Sequence, residues 1–192
     1  MGEDGIYQEL EAVGIKCYGR EDEKETIVSV LKNMNPLIHT VVVGLDRKIN
    51  YVKLCRAASY VRDYGCSLIA TNPDASYLYP GNIHAGDSGC IVAAIEVAAG
   101  RKADCVIGKP NQFIIDLIRF NHPEIHERDM MMIGDRLDTD ILFARRNHIH
   151  SLLVLSGVTT SNDLKKSEES ILPEFYTDSL QDVFTLLSNN DR

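Results

Sequence analysis

The sequence predicts an α/β protein with parallel strand pairing, and three observations carry that prediction. Strand-like and helix-like segments alternate along the chain, with no internal repeat or low-complexity tract. Two apolar runs, Cys105–Ile107 and Met130–Ile133, end in a glycine followed by a charged residue, the layout of a buried strand that stops at a sharp turn. The chain has 192 residues, 44% hydrophobic and 25% charged, enough for one large domain or two small ones with a buried core.

Taken in order, strands are expected at His39–Gly44, Ser67–Thr71, Cys105–Gly108, Met130–Gly134 and Ser151–Leu155. Helical periodicity marks Tyr51–Tyr64, Ser88–Ala99, Gln112–Phe120, Thr139–Asn147 and Leu180–Leu187. Ser179 with Asp182 resembles a capping box, Asp standing in for the usual Glu. Asn72–Asp87 contains Pro73, Pro80, Gly81 and Gly86 and reads as turns and a surface loop, of a length that is often functional. Ser161–Ser170 carries mixed charges and reads as a solvated connection or a frayed helix.

The formal charge is −8, which argues against nucleic acid as a partner, because that role needs clustered Lys and Arg. An anionic substrate would have to be drawn in locally, by a cation or a metal. No window approaches the roughly 20 apolar residues of a membrane span, and the polar start Met-Gly-Glu-Asp-Gly does not read as a secretory signal. Cys17, Cys55, Cys66, Cys90 and Cys105 form no C-x-x-C pair, so reduced small hydrophobes in a cytoplasmic protein are expected. The histidine pairs His148/His150 and His122/His126 lack the context of a zinc site and read as surface residues.

The strongest chemical signal is Ile133-Gly134-Asp135-Arg136-Leu137-Asp138-Thr139-Asp140. Asp135 is placed at the carboxyl tip of a strand, where open α/β sheets bind ligands, and Asp138 and Asp140 open the next helix. Three carboxylates in six residues repel one another unless a cation joins them, and oxygen-only ligation suits Mg²⁺. Asp135 and Asp140 are therefore the candidate metal residues. The alternative is that Asp138 or Asp140 merely caps the helix, which leaves Asp135 unexplained. A second signal is Ile107-Gly108-Lys109-Pro110, where Lys109 is placed to neutralise phosphate charge. Its position one helix upstream of the Gly-Asp element is expected to put both residues on one edge of one sheet.

These two elements resemble the third and fourth motifs of the haloacid dehalogenase (HAD) superfamily. Further matches follow in family order: Val41-Val42-Val43-Gly44-Leu45-Asp46, Asn50-Tyr51-x-Lys53-Leu54, Thr71-Asn72-Pro73-Asp74, Gly86-Asp87-Ser88-Gly89-Cys90, Gly100-Arg101-Lys102, Leu155-Ser156-Gly157-Val158 and Phe175-Tyr176-x-Asp178-Ser179. As a set they are similar to the subfamily containing 4-nitrophenyl phosphatase, phosphoglycolate phosphatase and pyridoxal phosphate phosphatase. The resemblance implies an α/β cap domain over residues 1–103 and the C-terminal half of a Rossmann-like parallel-sheet core over residues 104–192. It also implies a Mg²⁺-dependent phosphatase of small phosphorylated metabolites. In that scheme Asp135 binds the metal, Asp140 supports it and Lys109 stabilises the phosphoryl group.

In the family a nucleophilic Asp in an Asp-x-Asp-Gly pattern forms an aspartyl-phosphate, and the second Asp acts as general acid and base. No segment here qualifies. Asp138-Thr139-Asp140 belongs to the metal motif, Asp4-Gly5 lacks a preceding strand and the first Asp, and Asp46 is followed by Arg47-Lys48. By resemblance the match begins just inside the cap, so the N-terminal part of the core is expected to be absent, leaving an open sheet edge and an uncovered apolar face. The other reading is a catalytically inactive, cap-containing binding or dimerisation module. Family caps contact substrate and mediate homodimers, which makes Asn72, Asp74 and Tyr77 candidate substrate-binding residues. Asn72 and Asp74 are equally suited to shaping a turn.

Overall fold

The computed structural model describes residues 1–20, 26–81 and 83–190, the last two without their side chains. The chain divides into two compact units, Met1–Ile107 and Gly108–Arg192. The two three-stranded sheets are parallel, as the apolar runs and intervening helices require.

In the first unit α1 (Asp4–Ala12) and α2 (Ile27–Lys32) precede β1 (Thr40–Val43), α3 (Tyr51–Asp63) and β2 (Ser67–Ala70). A hairpin of β3 (Ser76–Tyr79) and β4 (Ile83–Gly86) leads into α4 (Ser88–Ala99) and β5 (Cys105–Val106). The sheet order is β1-β2-β5, all parallel, with Val41 beside Leu68 and Val43 beside Ala70. Those four side chains are buried on one face, and Ala57, Ala58 and Val61 of α3 pack with Ile91, Val92 and Ile95 of α4 in the same core. Burying each such valine, leucine or isoleucine is worth about 1.5–3 kcal/mol. Asn50 caps α3 by accepting from the Lys53 amide, and Asp87 caps α4 by accepting from the Ser88 amide. Helix α4 stops at Gly100, whose φ of 71° is the left-handed conformation that a side chain resists.

Two expectations are corrected in this unit. The stretch Asn72–Asp87 is not a plain loop, because β3 and β4 pair antiparallel from Ser76↔Gly86 to Tyr79↔Ile83. The strand expected over Cys105–Gly108 ends at Val106 and pairs with β2, so it lies in the first sheet.

The second unit contains α5 (Phe113–Asn121), β6 (Met131–Gly134), a π-helical turn (Leu137–Ile141), α6 (Leu142–Arg146), β7 (His150–Val154), α7 (Ser161–Lys166), β8 (Phe175–Thr177) and α8 (Leu180–Asn190). Its sheet runs β6-β7-β8, all parallel. Leu153, on one face, packs with Leu137 and Ile141 of the π turn. The opposite face aligns Ile133, Leu152 and Phe175 across the three strands, and Ile133 and Phe175 are 43% and 50% exposed. Among the described residues β6 is an edge strand. The helix expected over Thr139–Asn147 is a π turn followed by a short helix, which re-aims the aspartates at its start. At Ser179 half of the expected capping box forms, the Asp182 carboxylate accepting from the Ser179 amide and hydroxyl. A reciprocal box is found instead at Thr160 and Asp163.

His150, at the start of β7, has Nδ1 2.7 Å from a Glu174 carboxylate oxygen and Nε2 3.1 Å from the Arg128 carbonyl. Both partners only accept, so the ring satisfies both as imidazolium, and the bond to Glu174 raises its pKa above the ordinary value. A raised folded-state pKa adds stability that is complete below about pH 6.5 and fades as pH climbs through the folded value. His150→Gln is accordingly expected to lower the urea midpoint at about pH 6 and to leave it unchanged at about pH 9. A loss that is equal at both pH values would show that the imidazolium contributes nothing.

Candidate functional site

The chemistry-bearing residues of the second unit meet at the carboxyl end of β6. Gly134 ends the strand, and a Cβ there would overlap the Asp140 side chain, so glycine leaves the space into which Asp140 folds back. Asp140 is 3% exposed and both of its oxygens are used. Oδ2 accepts from the amides of Asp135 (3.0 Å) and Arg136 (3.1 Å), and Oδ1 accepts from Lys109 Nζ at 2.5 Å. Asp140 therefore clamps the turn and holds the Lys109 ammonium, which is itself about one third exposed.

Asp135 is half-buried at the strand tip. Its Oδ2 accepts from the Val158 amide at 2.8 Å, and its carbonyl accepts from the Thr159 amide at 3.0 Å. Among the described residues its Oδ1 accepts no hydrogen bond. A Cβ at Gly157 would overlap the Asp135 carboxylate, so the loop after β7 fits closely against it. The roles of Gly157 and Val158 escaped the sequence reading, although the Ser-Gly pair just past an apolar strand was the available signal. Asp138, counted with the other two carboxylates, instead turns to Arg136 at 2.6 Å and is exposed. Among the described residues no three His, Cys, Asp or Glu side chains group around a metal position. Lys109 and Asp135 do not rise from one sheet as expected, because the strand before Lys109 pairs in the first sheet. They meet through Asp140, which bonds the side chain of one and the amide of the other.

Residues 106–183 match the model of the HAD-hydrolase-like family. The human glycerol-3-phosphate phosphatase is 38% identical over 202 residues, covering 97% of this chain. The chain is thus related to the HAD-like hydrolases, and residues 106–183 carry the match to the family. Phosphoglycolate phosphatase 1A of Arabidopsis thaliana is 37% identical over 96% of the chain. The solved 4-nitrophenylphosphatase of Thermotoga maritima superposes with a TM-score of 0.76 at 32% identity, over 96% of the chain. The chain spans 61%, 52% and 62% of those three proteins, respectively.

The other candidate residues lie in the first unit. Asn72 Oδ1 accepts from the Asp74 amide at 3.0 Å, an Asx turn, while its Nδ2 donates to Ser88 Oγ at 3.2 Å. The Asp74 carbonyl accepts from the Gly89 amide, docking this turn on the start of α4. Tyr77 is half-exposed on β3 with its ring 5.2 Å from that of Tyr79. The hydrogen bond between them raises the Tyr77 pKa and lowers that of Tyr79, which also bonds Arg47. Asp46, weighed above as a nucleophile, is buried, with Oδ2 2.8 Å from Lys53 Nζ and Oδ1 accepting from the Lys48 amide. That bonding marks a structural staple. The five cysteines are all free thiols, and among the described residues no helix is long and apolar enough to cross a membrane.

Proposed function

We propose that the second unit supplies the metal- and phosphate-handling part of a Mg²⁺-dependent phosphatase for small phosphorylated metabolites. The observation that carries this reading is the placement of the Lys109 ammonium and the open Oδ1 of Asp135 on the two sides of one buried carboxylate, Asp140. The donor set fits a hard cation. Mg²⁺ takes one or two carboxylates and fills its remaining positions with water and substrate oxygens. Asp135 would hold the ion through Oδ1, and Asp140, whose oxygens are already engaged, would support it by fixing the Asp135 backbone. When bound, the metal withdraws charge from a phosphoryl oxygen.

The chain's own residues divide the remaining work. Lys109 places a positive charge where a transferring phosphoryl group gathers negative charge, and Asp140 limits its rotamers so that little ordering remains at the moment of reaction. The names of the related glycerol-3-phosphate and phosphoglycolate phosphatases support a small phosphate monoester as substrate. An aspartyl-phosphate route needs a carboxylate nucleophile, and none of these 192 residues forms the Asp-x-Asp-Gly pattern. That observation favours a second reading, in which this chain alone binds metal and phosphate without turnover.

Titration calorimetry of the purified chain with Mg²⁺ tests the proposal, and p-nitrophenyl phosphate separates the two readings. Binding is expected in roughly the millimolar range and should be lost in Asp135→Asn, with the unfolding midpoint unchanged. Binding that survives Asp135→Asn would overturn the assignment. Turnover of p-nitrophenyl phosphate that requires both Mg²⁺ and Asp135 would remove the inactive reading.

A further inference from the structure

The loop that follows β7 is fastened at both ends and grips Asp135 in between. At its start the Leu155 amide donates to the Thr177 carbonyl of β8 at 2.9 Å. At its end Thr160 forms the reciprocal capping box with Asp163. Between these anchors the Val158 amide donates to Asp135 Oδ2 at 2.8 Å, and the Thr159 amide donates to the Asp135 carbonyl at 3.0 Å. Gly157 leaves no spare room, since a Cβ there would overlap the Asp135 carboxylate. One carboxylate oxygen is therefore committed to the loop backbone, and Oδ1 is the oxygen left to face a ligand.

We infer that Gly157 and the Val158 amide determine cation selectivity: by holding Oδ2 they present Asp135 as a one-oxygen ligand, which suits Mg²⁺ and disfavours Ca²⁺. This selectivity rests on the reading of Asp135 as a metal residue. Ca²⁺ gathers about 6–8 oxygens in flexible geometry and commonly takes both oxygens of a carboxylate. Mg²⁺ is smaller, demands an octahedral shell and fills most of it with water and substrate oxygens, so a single carboxylate oxygen is enough. For Ca²⁺ to gain Oδ2, the Val158 bond would have to break and leave its amide unpaired. Neither neighbouring aspartate makes up the deficit. Both Asp140 oxygens already accept hydrogen bonds, and Asp138 turns to Arg136. The loop thus acts on the ion through Asp135, as a positioning element rather than a ligand.

Replacing Val158 by its α-hydroxy acid analogue turns that amide into an ester, which deletes the N–H and keeps the side chain. Titration calorimetry of the whole chain with Mg²⁺ and, separately, with Ca²⁺ gives the ratio of the two dissociation constants. The unaltered chain is expected to prefer Mg²⁺, and the ester chain to shift the ratio toward Ca²⁺ by roughly tenfold. A loop that served folding alone would weaken both cations equally and leave the ratio in place. Gly157→Ala, whose methyl displaces the carboxylate, is expected to weaken Mg²⁺ binding by roughly tenfold or more. The near-isosteric ester decides the matter even where Gly157→Ala disturbs the fold. A preference of the unaltered chain for Ca²⁺, an unchanged ratio in the ester chain, or undiminished Mg²⁺ binding by a folded Gly157→Ala would overturn the selectivity role alone. Absence of Mg²⁺ binding by the unaltered chain would instead overturn the metal reading, and the selectivity role with it.

Discussion

Asp140→Ala is expected to open the second unit at a cost of about 2–4 kcal/mol, while the first unit keeps its stability. The substitution takes away the acceptor for two backbone amides and for the Lys109 ammonium. The lower part of the range for a broken buried pair applies, because Lys109 is about one third exposed and can recover water. Amide hydrogen exchange reads the effect separately in each unit. The Ile133 and Leu153 amides should exchange faster, and those of Val43 and Ala70 should not change. Asp140→Asn keeps an acceptor for the amides but loses the charge, so it is expected to restore part of the loss. A change for Asp140→Ala within about 0.5 kcal/mol of zero would mean that the clamp is decorative.

Lys53→Met is expected to do the reverse, opening the first unit by about 3–5 kcal/mol with the second untouched. The side chains of Lys53 and Asp46 are only 10% and 5% exposed, so removing the lysine leaves a carboxylate buried with one amide donor. Adding Asp46→Asn should return much of the stability, because a neutral amide in the same place no longer needs a counter-charge. Urea unfolding of the two single variants and the double variant forms a cycle whose coupling should exceed about 1 kcal/mol. Additive losses would show that the pair is incidental.

Where a segment buries a face, the sequence reveals it. The runs His39–Gly44, Met130–Gly134 and Ser151–Leu155 each match the observed strand to within one residue at either end, because their apolar side chains enter a core. Helix Ser88–Ala99 is recovered whole, since Asp87 and Gly100 punctuate it. The β3–β4 hairpin is invisible for the same reason turned around. Ser76–Tyr79 and Ile83–Gly86 bury no side chain fully, so no alternation of apolar and polar residues marks them. At the candidate site the identities of Lys109, Asp135 and Asp140 were legible from strand tips and glycines, but their bonding was not. Asp138 and Asp140 look equivalent in sequence. The π turn separates them, sending one inward to Lys109 and leaving the other outside with Arg136. The amide of Val158 gave no cue, because a backbone donor has no letter in the sequence.

The first unit ends at Ile107, and Lys109 follows two residues later. Ordinary connectors between domains accept extra residues freely, since their length matters more than their wording. Residues added before Gly108 would accordingly leave the span from Lys109 to Asp140 as it is, whereas residues added just after Lys109 would loosen the ammonium from its buried carboxylate.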